Sequence, residues 1–389
     1  MNDWSAQDHQ FMAEALRLAK RGEFTARPNP VVGCVIVKNG DVIGRGWHQS
    51  FGQAHAEINA LQQAGEQAKG ATCYVTLEPC AHVGKTGSCA QALKQSGVAK
   101  VIAAMQDPNP EVSGKGLQIL EQAGIATQSG LLELQARKLN PGFLSHFERH
   151  RPFVTVKLAM SLDGRTALKN GQSQWITGAQ ARADVQRLRA KQDVIITGIG
   201  TQQSDDPSLT ARLDFSTVDQ TVKQHFRQPL RVLFDRHGKA NLNDKIFKFN
   251  QPSSERNNSK QNADIWKGKQ VWWMTLSDQR SALADSKYQH IEAHSMTAIS
   301  EVLSALSERG ASQVLVEAGH RLAGSFLQLG LVDQLVVYMA PKLMGNHAMG
   351  LFDLQIEQMD QCLPLDLTDV RQFGDDIRLT YKLSNDLSD

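Results

Sequence analysis

The sequence predicts an α/β protein of two domains, and three observations carry that prediction. Its 389 residues exceed what one hydrophobic core usually serves. Strand and helix signals alternate through both halves, the pattern of an α/β layer architecture. A composition of 41% hydrophobic and 21% charged residues, with 30 Gly and 12 Pro, is that of a folded chain and excludes collagenous or mostly disordered classes.

Ser5 and Asp8 form a capping pair, Phe11, Met12, Ala15, Leu16 and Ala19 recur at helical spacing, and Gly22 closes the first helix. Residues 31–37 and 42–47 read as strands joined by Asn39-Gly40, a strong two-residue hairpin signal. A helix over 55–64, a strand over 71–77, a helix opening near Cys89, a strand over 101–104 and a helix over 117–123 follow, with a fifth strand at 125–128. One polar helical stretch is expected over 131–150. Arg151-Pro152 then punctuates the chain, because proline restricts its predecessor and discourages helix continuation. The domains are accordingly set at 1–149 and 150–389. The second half reads as strand 153–159, helix 179–190, strands 194–197, 231–234 and 271–275, helix 299–308, strand 313–317, helix 322–329, and strands 335–339 and 377–383. Residues 250–269, polar and nearly free of apolar anchors, read as a surface loop.

Lys and Arg number 42 against 40 Asp and Glu, so a net charge of +2 offers no polybasic face for nucleic acid or anionic lipid. No apolar run approaches the ~18–20 residues that span a bilayer, and the start of the chain lacks a basic segment followed by an apolar core. The expectation is a cytoplasmic protein with no membrane partner. Five cysteines, an odd and sparse set, suit a reducing compartment.

His55-Ala56-Glu57, followed downstream by Pro79-Cys80 and Cys89, is the most specific signal in the chain. One imidazole and two thiolates make a Cys2His set for Zn2+ with one tetrahedral position open, the mark of a catalytic rather than a closed site. Glu57 stands two residues beyond the ligand histidine, where it can take a proton from water and deliver it to a ring nitrogen and a leaving amine. His82 could instead close the site as a fourth ligand. Cys34 and Cys73 lie in apolar strand runs and read as packing residues. Eight residues (AHVGKTGS) separate the two cysteines, longer than the short spacing of many nucleic-acid deaminases. Gly84-Lys85-Thr86 mimics the tail of a phosphate loop, but the required first glycine would fall at Pro79, so a nucleoside triphosphatase is rejected.

Together with Pro28-Asn29-Pro30-Val31-Val32-Gly33 and His48, these motifs resemble the deaminase half of the bifunctional riboflavin-biosynthesis deaminase/reductases of the RibD type, long cysteine spacing included. The resemblance implies a cytidine-deaminase-like α/β/α domain in which Asn29, His48, His82 and Lys85 contact substrate. In the second half, Lys157 to Arg165, Ser173-Gln174-Trp175, Thr197-Gly198-Ile199-Gly200-Thr201, Asp205 to Arg212, Glu317 to Ser325 and Ala340 to Gly345 form an ordered series that resembles the reductase half. That half has a dihydrofolate-reductase-like α/β fold and uses NADPH. The glycine spacing after strand 194–197 is not a Rossmann fingerprint, because Gln203 stands at the third position.

Carried across residue by residue, the resemblance implies cofactor contacts at Met160, Trp175, Thr201, Asp205, Arg236 and the run Gly319, His320, Arg321, Leu322, Ala323, Gly324 and Ser325. It implies substrate contacts at Ser173, Arg189, Leu209, Arg212 and Glu317, the two arginines being suited to a ribose phosphate because guanidinium binds phosphate bidentately. Lys157 and Asp163 are positioning or proton-handling candidates. The implied protein takes a small phosphoribosylaminopyrimidine, deaminates it, then reduces its ribosyl group, and assembles as a homo-oligomer, a dimer through reductase domains. Two other readings remain on the residues alone. A nucleoside or nucleic-acid deaminase with an accessory domain would, in its polynucleotide form, need a basic channel and stacking aromatics, against 6% aromatics here. A non-catalytic zinc-stabilised binding module would need a fourth ligand and would leave Glu57 without a purpose.

Overall fold

A computed structural model of the chain describes residues 4–81, 87–248, 270–276, 291–294 and 298–383. The loop expected at 250–269 lies outside them. The chain divides into two compact units, one running through His150 and including Asp214–Arg227, the other comprising Arg151–Leu213 and the chain from Gln228. The segment 214–227 thus groups with the first half, away from its sequence neighbours. Within that unit Asp219 pairs with Arg21 at 3.3 Å.

In the first unit, α1 (Ala6–Ala19) begins at Ser5, whose Oγ accepts from the Asp8 N–H while the Asp8 carboxylate accepts from the Ser5 N–H. Strands β1 (Gly33–Lys38) and β2 (Asp41–Trp47) pair antiparallel through Asn39 and Gly40, whose φ values of 54° and 87° are what this hairpin turn requires. There follow α2 (Ala56–Ala64), β3 (Thr72–Val75), α3 (Cys89–Ser96), β4 (Lys100–Ala103), α4 (Lys115–Gln122), β5 (Ala126–Ser129), α5 (Glu133–Leu139) and α6 (Pro141–Arg149). The sheet order is β2-β1-β3-β4-β5, with β3, β4 and β5 parallel.

Because strand side chains alternate between faces, Cys34, Ile36, Cys73 and Val75 pack under α2, α3 and α4. Val35, Val37 and Tyr74 pack under α1, α5 and α6. The result is an α/β/α sandwich. The single helical stretch expected over 131–150 is two helices. Pro141 lacks an N–H and opens α6 at its first position, and the Asn140 amide turns away to bond both backbone groups of Val31 at 2.8 and 3.0 Å. Glycine permits several close approaches, two of them here. A Cβ on Gly33 would lie 2.0 Å from the Ala15 carbonyl oxygen, and one on Gly46 would lie 2.1 Å from that of Ala56. The second approach seats the start of α2 directly on β2.

The second unit contains β6 (Phe153–Ser161), β7 (Arg165–Ala167), α7 (Ala179–Ala190), β8 (Val194–Gly198) and α8 (Ile199–Asp205); α9 (Gln220–His225) belongs to the first unit. It continues with β9 (Leu230–Phe234), β10 (Val271–Met274), β11 (Ile291–His294), α10 (Ile299–Glu308), β12 (Gln313–Val316), α11 (His320–Gln328), β13 (Gln334–Ala340), β14 (Met349–Gly350), β15 (Leu365–Phe373) and β16 (Asp376–Leu383). The order β11-β10-β9-β8-β12-β6-β13-β16-β15 is parallel from β11 to β13 and closes with antiparallel β16 and β15. From β8 the chain passes to β9 on one side; from β12 it passes across β6 to β13 on the other. Connections that leave in opposite directions open a crevice at the carboxyl ends of β8 and β12, the usual ligand position in such sheets. Sequence reading missed α8, which it took as a glycine turn, and β15, most of whose residues are exposed and so carry no apolar alternation.

Candidate active sites

His55 is the N-cap of α2, Glu57 lies in that helix's first turn, and Cys89 is the first residue of α3. Cys80 follows Pro79 on the segment leaving β3. The ligand atoms of His55, Cys80 and Cys89 all lie within 4.8 Å of one another. His55 Nδ1 is 3.2 Å from Cys89 Sγ and 3.6 Å from Cys80 Sγ. Tetrahedral zinc with ordinary Zn–S and Zn–N bonds sets such edges at about 3.6–3.8 Å, so these residues fit the ion.

The cluster is built by the start of α3. Ser88, its N-cap, accepts from the Gln91 N–H and donates to the Cys80 carbonyl at 2.8 Å, and the Ala90 N–H reaches that carbonyl at 3.2 Å. The Cys89 N–H points at Cys80 Sγ, 3.3 Å away. The Cys89 side chain, then His55 and that N–H, hold the Cys80 thiol far below the usual range, while the bond to Cys80 and burial push Cys89 up. Bonding to Cys80 raises His55, partly offset by burial. Burial lifts the Glu57 carboxyl to about 7, against the pull of His55.

His48 and Asn29 stand together beside this cluster, the His48 ring edge-on to His55 at 5.4 Å. Burial lowers His48 to about 4, so the ring is neutral. Its Nδ1 lies 3.2 Å from the Ala54 carbonyl, which only an N–H can satisfy; Nε2 is then the acceptor, 3.1 Å from Asn29 Nδ2. This turns the Asn29 carbonyl oxygen to the other side. The expected contacts His82 and Lys85 lie outside the described residues.

In the second unit, Glu317 follows β12 and receives Arg189 of α7 in two bonds, Nε to Oε1 at 2.5 Å and Nη2 to Oε2 at 2.9 Å. Lys157 of β6 stands 3.8 Å from the same carboxylate. Burial would raise Glu317, but the Arg189 charge and bonds, with Lys157, carry it below the usual range. Burial lowers Lys157, partly restored by Glu317. Asp163 is occupied elsewhere, accepting from the Met344 and Gly345 N–H groups and so tying down the loop after β13.

At the carboxyl ends of β8 and β12, the Gly319 N–H donates to Thr201 Oγ1 at 3.0 Å, and α11 opens at Gly319 with no side chain among the described residues capping it. An uncapped helix start at a sheet crevice suits a dinucleotide phosphate, so the residues fit NADPH. Ser173 donates to Asp205 at 2.9 Å, and Trp175 is 63% exposed with the Arg182 guanidinium 4.6 Å from its ring. Met160 is the next-to-last residue of β6, and Arg212 and Arg236 are exposed.

Three expectations change in this setting. Arg189 is not a free guanidinium awaiting phosphate, because Glu317 and the Thr210 carbonyl already occupy it. Leu209 is buried in the apolar cluster with Ile195 and Leu233, so its side chain faces the core. Within the 319–325 run, Ala323 belongs to the core and Gly324 presses on the backbone of Asp353, which leaves the first turn of α11 to face a ligand. The Thr201–Gly319 brace and the Arg182–Trp175 stack were missed, and no local signal could have found them, since each joins residues from separate elements.

A Cys2His metal cluster with an adjacent buried carboxylate in one unit, and a crevice with an uncapped helix start in the other, define a zinc-dependent deaminase joined to a nucleotide-dependent reductase. Residues 5–105 match the cytidine and deoxycytidylate deaminase zinc-binding region, and residues 152–379 match the RibD C-terminal domain. The riboflavin biosynthesis protein RibD of Haemophilus influenzae is 44% identical over 386 residues, covering 98% of this chain and 99% of that one. The Escherichia coli protein of the same name is 44% identical over 377 residues, 96% of this chain and 98% of its own. The solved structure of Acinetobacter baumannii RibD superposes with a TM-score of 0.86 at 43% identity, covering 97% of this chain and 99% of that one. That of a Thermotoga maritima diaminohydroxyphosphoribosylaminopyrimidine deaminase/5-amino-6-(5-phosphoribosylamino)uracil reductase does so with 0.81 at 31%, with the same coverage. The chain belongs to the RibD family of bifunctional riboflavin-biosynthesis deaminase/reductases, with zinc and NADPH as cofactors. Among the described residues no helix is long and apolar enough to cross a membrane.

Proposed function

We propose that the two units, the first taken as 1–149 with its added segment and the second as the remainder to 389, act in sequence on one phosphoribosylated pyrimidine. The first hydrolyses the amino group at C2 of 2,5-diamino-6-(5-phosphoribosylamino)pyrimidin-4(3H)-one, and the second reduces the ribosyl group of the product to ribityl. The observation that carries the reading is the buried Glu57 carboxyl beside the His55, Cys80 and Cys89 cluster, on a chain that matches two-activity relatives over nearly its whole length.

His55, Cys80 and Cys89 would hold the zinc, which when bound would supply Lewis acidity and lower the pKa of a water at the open position toward 7. Glu57 is placed to take one proton from the water whose oxygen bonds to C2 and pass it to the adjacent ring nitrogen, and to move that water's second proton, released as the new C2 hydroxyl becomes a carbonyl, to the amine as its C–N bond breaks and ammonia leaves. Asn29, its amide oriented by neutral His48, presents a carbonyl oxygen to an N–H of the pyrimidine. His82 and Lys85 contribute contacts to the polar substrate. In the second unit NADPH supplies hydride when bound. The first turn of α11 and Thr201, Asp205, Trp175, Met160 and Arg236 hold that cofactor, while Ser173 and Arg212 engage the substrate. Arg189 fixes Glu317, whose remaining acceptor capacity faces the ribosyl hydroxyls, and the Leu209 backbone borders the same space.

The chain acts in the cytoplasm, where its five cysteines, none in a disulfide, stay reduced. It associates as a homodimer through the second unit. β15 is the edge of the nine-stranded sheet, with Leu365, Leu367 and Val370 40–55% exposed, and such an edge invites strand pairing with a second copy. Light scattering across a range of concentrations tests this; a monomer at every concentration rejects it.

The test of function is incubation with the diaminopyrimidine phosphate, with and without NADPH, for wild type and Glu57→Gln, following ammonia and NADPH separately. Ammonia without NADPH, oxidation only after deamination, and loss of ammonia release in the variant establish the two steps in order. Silence in both channels from folded, zinc-loaded protein rejects the assignment.

A further inference from the structure

Glu78 lies two residues before Cys80, 3% exposed, and plays no part in the chemistry above. Its carboxylate accepts four backbone N–H groups. Oε2 receives Asp107 at 3.2 Å and Gly114 at 2.9 Å; Oε1 receives Gly116 at 2.9 Å and Leu117 at 3.4 Å. The last two belong to the first turn of α4, whose own N-cap residue, Gly114, has no side chain to satisfy them. Glu78 therefore caps α4 from another element, where the helix dipole also favours a negative charge. Gly116 completes the contact: a Cβ there would stand 1.8 Å from the Pro79 carbonyl oxygen. The Glu78-Pro79 backbone is thus pinned against α4, while the Cys80 carbonyl on the other side is pinned by Ser88 and Ala90 at the start of α3.

We propose that Glu78 and Gly116 form a lock that sets where the Cys80 thiolate stands relative to His55 and Cys89, making Glu78 a positioning residue for zinc. The inference rests on the ligand set proposed above. A free loop could carry Cys80 into the cluster only by giving up conformational entropy at each binding event. The lock spends that entropy on folding, through bonds to groups that are not ligands. Outer partners of metal ligands typically govern affinity by about 10–100-fold.

The experiment uses the full chain with Glu78→Gln, Gly116→Ala and Cys80→Ser, reading zinc affinity by competition with a chromophoric chelator and the absorption bands of the cobalt-loaded protein. Glutamine places an NH2 against N–H donors, and the alanine methyl displaces Pro79. Both variants are expected to bind zinc about 10–100-fold more weakly and to shift the cobalt bands, with NADPH oxidation on deaminated substrate retained. Wild-type affinity and unaltered bands in both variants overturn the lock. Wild-type affinity in Cys80→Ser overturns the ligand set itself, a separate failure. If Glu78→Gln loses the melting transition of its unit, Gly116→Ala decides by the same two readouts.

Discussion

Arg189 and Glu317 meet in a two-pronged ion pair with side chains only 12% and 9% exposed, although 128 residues separate them in the chain. The pair joins α7 to the end of β12 and brings Lys157 of β6 against the same carboxylate. A buried pair of this kind is weak evidence for net stability, but removing one partner strands the other in a poorly solvated site.

Glu317→Gln removes the carboxylate that Arg189 grips and leaves Lys157 to the weaker pull of Asp205. The expected loss is about 3–5 kcal/mol in the unfolding transition of the second unit, read by urea titration. NADPH oxidation falls while ammonia release is retained. An unchanged midpoint would mean that hydration, and not Glu317, carries the Arg189 charge.

The same carboxyl gives a pH dependence with a definite sign. Its folded pKa is depressed below 4.5. The stability it contributes is therefore fully present above the unfolded value, and is lost as pH falls below 4.5 through the lower folded value. Acid titration of the second unit should show this loss in wild type and a shallower slope in Glu317→Gln.

Stripping zinc with a chelator should abolish ammonia release and lower the melting temperature of the first unit. NADPH oxidation on deaminated substrate should continue, because the metal residues all lie in the first unit. Re-addition of zinc should restore the lost activity. Parallel loss of both activities would instead tie the metal to the second unit's fold.

Gly33→Ala puts a methyl 2.0 Å from the Ala15 carbonyl oxygen, on the backbone of α1. Overpacking of this sort costs about 1–3 kcal/mol. Urea unfolding of the first unit should report it, with the second transition unmoved. Gly40→Ala is the contrasting control: among the described residues a Cβ there meets nothing within 4 Å, so the expected loss comes from its positive φ of 87°.

What could be read from the chain alone was chemistry and local order. The Ser5–Asp8 cap, the Asn39-Gly40 turn and the helices at 179–190 and 299–308 depend on residues a few positions apart, and their physical signals are local. The zinc triad was legible for a related reason: only a few side-chain types hold zinc, and His55, Cys80 and Cys89, with Glu57 two residues after the histidine, occupy short segments. Tertiary structure alone decided the rest. Inserting β12 between β8 and β6 brings Lys157, Arg189 and Glu317 to one point, and seating α4 on Pro79 gives Glu78 its donors at Gly114, Gly116 and Leu117. Strand order and helix docking follow from burying both faces of a sheet at once, a condition summed over the whole chain that no short window of sequence contains.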